Sequence, residues 1–200
     1  MFQKIQKILI ISGFVSCLIL PLKLSAFEVL PEFKAAYFYP SDHRFRNVYS
    51  DAGFYSFETN VQSWRNIYSW ASLGFLYTSG TSIGESKKTE LYMIPIGLGL
   101  KYLFRHNQCV QPYLGLGLVV AYIHVYNDSK FVMRNQTKWG VGGIAKAGFL
   151  TYISRSLFFD FFLDYTYLKR TFDTPRNKLV INHKVDLSGL SIGGGIGYCF

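Results

Sequence analysis

The C-terminal stretch, residues 184–200, carries apolar side chains at every second position. One parity holds Leu190, Ile192, Gly194, Ile196, Tyr198 and Phe200, and the other holds Gly189, Ser191, Gly193, Gly195, Gly197 and Cys199. A period of two is typical of a β-strand whose neighbouring side chains point to opposite faces. One face is apolar and the other is nearly without side chains, which fits the wall of a small closed barrel between lipid and a crowded interior. We therefore predict an all-β transmembrane barrel.

The N-terminal segment predicts export. Lys4 and Lys7 precede an uncharged apolar run over 8–22, and the small residue Ala26 follows it. This is the pattern of a cleaved secretory signal, and the run is shorter than the roughly 20 residues of a membrane-spanning helix. We expect a signal peptide over 1–26 and an outer-membrane β-barrel domain over 27–200.

Alternation and turn-forming residues divide this domain into eight strands, the even number that closed antiparallel barrels of this kind have. The predicted strands are 31–39, 53–62, 66–78, 89–104, 110–125, 139–151, 157–168 and 184–200. Three short connections alternate with four long ones, which places the long loops outside the cell and both ends of the barrel in the periplasm. The fold class is therefore an eight-stranded antiparallel up-and-down transmembrane β-barrel.

Charged residues inside the predicted strands identify the interior face. A Lys or Arg that faces lipid at the bilayer midplane costs about 2–4 kcal/mol, so such residues are expected to point inward. The residues assigned to the interior in this way are Lys34, Glu58, Lys101, Lys146, Asp160 and Asp164. Because unpaired charges are costly in a low-dielectric interior, these three cations and three anions predict a paired charge network. Whether an apolar cavity remains beside it is open at this point.

Three stretches resemble a known superfamily. IPIGLGLKYLF at 94–104, VQPYLGLGLVVAY at 110–122 and DLSGLSIGGGIGYCF at 186–200 look like the small outer-membrane barrels that include outer-membrane proteins A, X and W. The resemblance extends over 27–200 and implies the fold. Members include structural tethers, adhesins, serum-resistance factors and conduits for small hydrophobic molecules, so no single function is implied. The sequence lacks the peptidoglycan-binding domain of many protein A relatives, so we expect no cell-wall tether.

The end of the last predicted strand also resembles a bacterial assembly signal. Phe200 is preceded by Tyr198 and Ile196 at two and four residues' distance. Such a row is similar to the signal by which the outer-membrane assembly machinery recognises its substrates. We therefore expect that machinery as a partner, and the outer membrane of a Gram-negative bacterium as the location.

We predict no catalytic, cofactor or metal site. Ser41, Asp42 and His43 combine a nucleophile, an acid and a base, but three consecutive residues rarely converge as a catalytic triad does, and turn chemistry explains them. The histidines are scattered without metal-ligand spacing. Cys109 and Cys199 lie on non-neighbouring predicted strands, so we expect them to be unpaired or bonded to another molecule.

The long loops carry many of the cations of this basic chain, whose formal net charge is +9. The basic residues of the predicted loop surface are Arg44, Arg46, Lys87, Lys88, Lys130, Arg134, Lys138, Lys169, Arg170, Arg176 and Lys178. Cations beside the membrane attract lipopolysaccharide phosphates. The same surface fits an anionic glycan or a host surface, and it does not imply nucleic acid.

These features lead to two hypotheses. In the first, the protein is a non-enzymatic barrel with a structural or surface-interaction role through its basic outer loops. In the alternative, which resemblance to the protein W branch implies, small hydrophobic molecules pass through the lumen and a lateral opening, for which Pro95 is a candidate site because it lacks a ladder N–H. A lipid A-modifying enzyme is a third, less favoured reading.

Overall fold

The computed structural model describes residues 28–49, 52–81, 88–104, 109–127, 135–172 and 183–200. Its elements are β1 (Val29–Pro40), α1 (His43–Val48), β2 (Ala52–Trp64), β3 (Ile67–Thr81), β4 (Lys88–Leu103), β5 (Val110–Asn127), β6 (Asn135–Tyr152), β7 (Leu157–Tyr167), β8 (Lys169–Phe172), β9 (His183–Asp186) and β10 (Gly189–Tyr198). The strands β1 to β7 and β10 form one closed barrel, in which all neighbours are antiparallel. The predicted eight-stranded up-and-down barrel is confirmed.

The barrel closes between its first and last strands. The β1–β10 ladder runs from Glu32 opposite Gly197 to Pro40 opposite Gly189. Closure pairs the backbone groups that an open sheet would leave bare at its edges, and lipid offers those groups no substitute partner. The same closure encloses a narrow interior in which opposite walls can exchange side-chain contacts.

Alternation along β7 shows how the sequence assigns the two faces. Phe159, Phe161 and Leu163 are exposed on the outer surface. Their neighbours Asp160 and Asp164 are buried in the interior. The apolar row therefore faces lipid and the acidic row faces inward, because the bilayer tolerates only the first of them.

The interior contains two apolar clusters, one towards each end of the barrel. The outer cluster, at the end with the long connections, comprises Phe38, Phe45, Ala52, Leu76, Leu91, Met93, Ala121, Ile123, Leu168 and Leu187. The inner cluster comprises Leu30, Tyr68, Leu103, Tyr113, Leu150, Phe158 and Phe162. Charged side chains occupy the layer between them, and this layer is the candidate site.

A short helix that the sequence did not predict lies in the first long connection. It follows Asp42, a residue type favoured at helix N-termini, and the Arg46 N–H donates to the Asp42 carbonyl oxygen at 3.2 Å. The ring of Phe45 is buried in the outer cluster, and the Arg46 guanidinium lies 4.7 Å from the Tyr39 ring centre. The helix therefore caps the outer end of the interior.

The last barrel strand is shorter than predicted. It begins at Gly189, whereas His183–Asp186 pairs with Lys169–Phe172 in a separate two-stranded sheet. The chain turns back into the wall through Leu187, whose N–H donates to the Leu168 carbonyl oxygen at 2.8 Å. A Cβ at Gly189 would lie 2.4 Å from the Phe38 ring, so a glycine is needed where the strand enters the barrel.

The predicted signal peptide, 1–26, lies outside the described residues and remains a prediction. No helix in the described part of the chain is long and apolar enough to cross a membrane. Neither Cys109 nor Cys199 forms a disulfide bond within the described part of the chain.

Candidate functional site

The structure brings the six predicted interior charges into one layer between the two apolar clusters. Each of these side chains is at most 5% exposed. They come from β1, β2, β4, β6 and β7. On each of these strands one or two of them occupy inward-facing positions at the same level along the barrel axis. We call this set, with one further carboxylate described below, the charge layer.

Glu58 of β2 is the centre of the charge layer. Its Oε1 lies 2.7 Å from Lys101 Nζ and 3.4 Å from Lys34 Nζ. Its Oε2 lies 2.8 Å from Lys146 Nζ. One fully buried carboxylate therefore contacts all three ammonium groups, and losing it would leave each of them short of a partner.

The two aspartates of β7 complete separate pairs. Asp164 Oδ2 lies 2.7 Å from Lys146 Nζ, and Asp160 Oδ2 lies 2.8 Å from Lys34 Nζ. The Tyr113 hydroxyl donates to Asp160 at 3.0 Å. Together with Glu58, these pairs connect five strands across the lumen through side chains alone.

Glu32 is the member of the layer that sequence reasoning missed. Its Oε1 accepts from Asn60 Nδ2 at 2.9 Å and lies 3.3 Å from Lys34 Nζ and 3.5 Å from Lys101 Nζ. Its Oε2 has no hydrogen-bond partner among the described residues. The layer thus holds four carboxylates against three lysines, and the predicted balance of three and three is wrong. The available signal was parity, since Glu32 and Lys34 are two residues apart on the same face.

Aromatic faces and glycines complete the surroundings of the lysines. Lys146 Nζ lies 4.7 Å from the Trp70 ring, Lys101 Nζ lies 4.3 Å from the Tyr113 ring, and both contacts are of the cation–π type. A Cβ at Gly117 would lie 2.4 Å from the Trp70 ring. That glycine therefore makes room for the indole beside the charge layer.

A small cavity of about 30 Å³ lies between the charge layer and the outer cluster. Its walls include Phe54, Leu76 and Met93 on the apolar side and Lys146 and Asp164 on the charged side. This volume is close to that of one water molecule. This cavity, between described residues only, is too small to hold an apolar molecule larger than water.

The barrel wall is interrupted beside this cavity. The β3–β4 ladder pairs Leu73 with Ile96 and resumes at Leu76 with Met93, so two successive pairs are missing. Pro95 lies in the gap and has no N–H to donate. A Cβ at Gly74 would lie 2.9 Å from the Pro95 ring, so the ring covers the gap by packing on a bare backbone. The other ladders of the described strands are continuous, apart from an irregularity between Gln62 and Trp64 near the turn into β3.

The predicted basic loop surface is only partly described. Arg46 belongs to α1, and Lys88 begins β4, where it pairs with Glu90 at 2.6 Å. Lys169 and Arg170 belong to β8. The side chain of Arg44 and all of Lys87, Lys130, Arg134, Arg176 and Lys178 lie outside what the structure describes.

Lys138 was predicted in a loop, and this assignment is wrong. Strand β6 begins four residues earlier than expected, at Asn135, so Lys138 lies within it, opposite Ile123 of β5. Its position has the same parity as the interior residue Lys146, so it is not part of a free loop.

Lys169 and Asp186 form an ion pair on the hairpin of β8 and β9. Lys169 Nζ lies 3.5 Å from Asp186 Oδ2 and 5.0 Å from the Tyr167 ring. Partial desolvation acts to raise the pKa of the Asp186 carboxyl, but hydrogen bonds from Ser188 and the Lys169 charge hold that pKa below its ordinary value. The pair is therefore ionised at neutral pH, which leaves Lys169 partly neutralised.

Ser41, Asp42 and His43 lie where β1 ends and α1 begins. The His43 ring nitrogen Nδ1 is 3.3 Å from Asn47 Nδ2, one helical turn away. The Ser41 N–H donates to the Ser188 carbonyl oxygen at 2.8 Å, which is a backbone contact to β10's entry. Among the described residues, no group of three or more His, Cys, Asp or Glu is arranged to hold a metal ion.

The proposed assembly row lies on the lipid-facing side of the barrel, at the end of the barrel that holds the inner cluster. Ile196, Tyr198 and Phe200 are all exposed, Phe200 by 75%. The Phe200 N–H donates to the Val29 carbonyl oxygen at 3.1 Å, and the Tyr198 and Phe200 ring centres are 4.7 Å apart. The three side chains thus form one continuous lipid-facing edge.

A protein-family model, described as the OmpW family, matches residues 76–200. The chain belongs to the OmpW family. The match begins in the middle of β3 and includes the strands from β4 to β10, so it covers the Pro95 side of the wall gap and most of the charge layer. The protein is accordingly an outer-membrane β-barrel of a Gram-negative bacterium. No curated protein matches the chain in sequence.

Solved structures of other small barrels share the OmpW-family fold of this chain. The E. coli outer membrane protein W is 15% identical with a TM-score of 0.57, covering 88% of this chain and 98% of that one. Neisserial surface protein A is 14% identical with a TM-score of 0.56, covering 87% and 97%. Ail of Yersinia pestis, in complex with the heparin analogue sucrose octasulfate, is 13% identical with a TM-score of 0.55, covering 87% and 99%. At these identities the likeness concerns the fold.

Proposed function

We propose that the protein transfers small apolar molecules from the cell exterior into the outer membrane, through the barrel wall between β3 and β4, and that it does so without catalysis. Of the two hypotheses raised by the sequence, this is the one that the interior supports better. The observation that carries it is the interrupted ladder at Pro95.

The arrangement of the interior directs an apolar molecule towards the wall. The outer half is lined by the outer cluster, which an apolar molecule can enter at little cost once α1 moves aside. Below it lies the charge layer, and moving an apolar group through it would separate buried ion pairs. The inner cluster then fills the periplasmic half. A sideways exit avoids both barriers.

The gap in the wall is the place where a sideways exit costs least. Opening two paired residues in a ladder breaks backbone hydrogen bonds, and each is worth about 0.5–1.5 kcal/mol net. At this position the pairs of Gly74 with Pro95 and of Phe75 with Ile94 are absent from the ladder, and Pro95 has no N–H to donate. Displacing the Pro95 ring from Gly74 therefore opens the wall without exposing newly broken pairs to lipid.

The test is the substitution Pro95→Val, which restores an N–H to the ladder. One added bond of about 1 kcal/mol would lower the open fraction roughly fivefold. Cells that express the variant should take up the fluorescent apolar probe N-phenyl-1-naphthylamine correspondingly more slowly than cells with the wild type. Pro112→Val is the matched control, since Pro112 also lies in a strand, β5, whose ladder at that position is intact. Equal uptake by wild type and Pro95→Val would refute the wall exit.

A second candidate is binding of polyanions at the outer end. It is favoured by an open cleft of about 460 Å³ between α1 and the ends of β3 and β4, lined by Arg46, Asn47, Ser79, Thr81 and Lys88 among others. The structure of Ail holds a sulfated ligand of this chemical class, which makes sucrose octasulfate a suitable probe here.

We expect sucrose octasulfate to bind the purified barrel with an affinity that falls as salt rises, because each neutralised sulfate releases counterions. Arg46→Gln should weaken the binding and flatten its salt dependence. Gln111→Ala, at the opposite end of the barrel, should change neither. Calorimetric titrations at several salt concentrations measure both effects, and binding indifferent to salt would exclude the electrostatic mechanism.

A further inference from the structure

The hairpin turn between β2 and β3 contains a backbone conformation that most side chains disfavour. Arg65 has a φ of 39°, and it is the only residue other than glycine with a positive φ in the described part of the chain. The turn has two residues, Arg65 and Asn66, because Trp64 pairs with Ile67. A positive φ at the first position of such a turn is normally adopted by glycine, since a Cβ is crowded there. The chain therefore keeps a strained arginine where a glycine would relieve the strain.

A bulge just before the turn directs the side chain of Trp64 towards lipid. Gln62 pairs with Tyr68 and Trp64 pairs with Ile67, so Ser63 of β2 has no partner in the register. Tyr68 is buried, whereas Ile67 is exposed on the outer surface. Without the extra residue, Trp64 would share the inward parity of Gln62. With it, the Trp64 side chain is 70% exposed.

The level of Trp64 along the barrel axis places Arg65 at the membrane boundary. Ile67, the partner of Trp64, pairs in turn with Tyr102 of β4, and the Tyr102 and Phe104 ring centres are 4.8 Å apart. Such aromatic side chains concentrate at the depth of the lipid head groups. Arg65 follows Trp64 directly and is exposed. It therefore lies at the head groups of the periplasmic leaflet, because the long connections are at the other end of the barrel.

Contacts on both sides of the turn hold it in this shape. The Gln62 side-chain amide donates to the Arg65 carbonyl oxygen. The Gln62 N–H donates to the Glu28 carbonyl oxygen at 2.9 Å, and the Leu103 N–H donates to the Asn66 carbonyl oxygen at 2.8 Å. A strained conformation persists when its surroundings fix it in this way, and strain of this kind is common where a ligand binds.

We propose that Arg65 and Trp64 form a binding site for the phosphodiester head group of a phospholipid in the periplasmic leaflet. A guanidinium can donate two parallel hydrogen bonds to phosphate oxygens, and an indole suits the adjoining boundary between apolar and wet surroundings. Within the described part of the chain, the Arg65 guanidinium forms no ion pair with a carboxylate, so its charge is available to a phosphate. The lipid contact offsets the strain of the turn. This inference does not depend on the proposed function.

The experiment compares unfolding of the full barrel by urea in vesicles of two uncharged lipids. Dioleoylphosphatidylcholine carries a phosphate, and digalactosyldiacylglycerol forms bilayers without one. In the glycolipid, Arg65→Gly should lower the unfolding constant about threefold, because it relieves the strain. In the phospholipid this advantage should vanish or reverse, because the variant also loses the phosphate contact. Equal stabilisation in both bilayers would overturn the site.

Two further variants separate the guanidinium from the turn and from general attraction to phosphate. Arg65→Asn removes the charge but tolerates the left-handed conformation, so it should resemble Arg65→Gly in its dependence on the lipid. Arg155→Gly removes an exposed arginine from the turn between β6 and β7, where φ is not positive. Its effect should be the same in both bilayers. A dependence on phosphate as large as that of Arg65→Gly would reduce the site to unspecific attraction and overturn it.

A direct measurement uses arginine labelled with ¹³C at the guanidinium carbon, in phosphatidylcholine vesicles. Dipolar coupling to the lipid ³¹P should dephase part of this signal in solid-state NMR spectra. Arg65→Lys should remove a dephased component that Arg155→Lys retains. Unchanged dephasing in Arg65→Lys would place the Arg65 guanidinium away from the phosphates and refute the proposal.

Discussion

At the residue scale, the charge layer is unequal in its contacts although its members are equally buried. Glu58 contacts three lysines, two of them within 2.8 Å. Glu32 contacts two lysines at 3.3 Å and 3.5 Å and has one oxygen without a partner among the described residues. Because four carboxylates face three lysines, one negative charge is in excess. Glu32 has the longest contacts with the lysines, so its charge contributes least to the pairing.

We therefore expect the same substitution to destabilise the barrel by different amounts at these two residues. Glu58→Gln should destabilise the folded barrel by about 3–5 kcal/mol, since it leaves buried lysines uncompensated. Glu32→Gln should cost about 1 kcal/mol or less, because the amide oxygen still accepts from Asn60 and an excess charge is removed. Urea unfolding in lipid vesicles, followed by tryptophan fluorescence, measures both. Equal losses would contradict the assignment of Glu58 as the centre of the layer.

At the element scale, α1 covers the outer cluster through the ring of Phe45. Phe45 is 6% exposed and packs in that cluster, whereas Asn47 on the same helix is exposed. Tyr49, just after the helix, bridges to Gly80 and approaches Thr89 within 3.2 Å, which attaches the segment to β3 and β4. The helix thus combines one apolar plug with contacts to the two strands that border the wall gap.

The position of the Phe45 ring leads to a prediction that depends on the proposed function. Phe45→Ala should speed the uptake of N-phenyl-1-naphthylamine, because the outer cluster loses the ring that closes it. Asn47→Ala, which alters the exposed face of α1, should leave uptake at the wild-type rate. Unfolding measurements on both variants show whether the barrel itself is intact. Slower uptake by Phe45→Ala at unchanged stability would mean that the ring guides the molecule instead of blocking it.

The elements also show where sequence reasoning succeeds. Alternation predicted the eight wall strands because lipid and lumen impose opposite polarity on neighbouring residues. The same pattern gives no information beyond the membrane, so α1 and the β8–β9 hairpin were missed, and Lys138 was placed in a loop. Glu32 was missed for a different reason. It lies near the start of β1, where a charge is cheap if it faces the periplasm, although its shared parity with Lys34 indicated the inward face.

At the scale of the whole molecule, the interior is stratified and the wall is not uniform. An apolar outer layer, a charge layer and an apolar inner layer follow one another along the lumen. Contacts between opposite walls, such as Lys146 with Glu58, hold the barrel closed from within. The weak point is lateral, at Gly74 and Pro95. The position of Pro95 and its two neighbouring strands were visible in the sequence, whereas the loss of pairs towards β3 and not β5 was not.

The assembly of the whole barrel provides the last prediction. Phe200 has its ring on the lipid-facing edge of β10, as Phe104 does at the end of β4, and both are exposed at the same end of the barrel. If Phe200 is part of a recognition signal, Phe200→Ala should lower the amount of protein inserted in the outer membrane of cells well below that of Phe104→Ala. Folding of the two purified variants into lipid vesicles should be similar, since each loses one girdle aromatic. Equal insertion in cells would show that the row Ile196, Tyr198 and Phe200 contributes only packing, and a defect of Phe200→Ala in vesicles as large as that in cells would place its effect in folding instead of recognition.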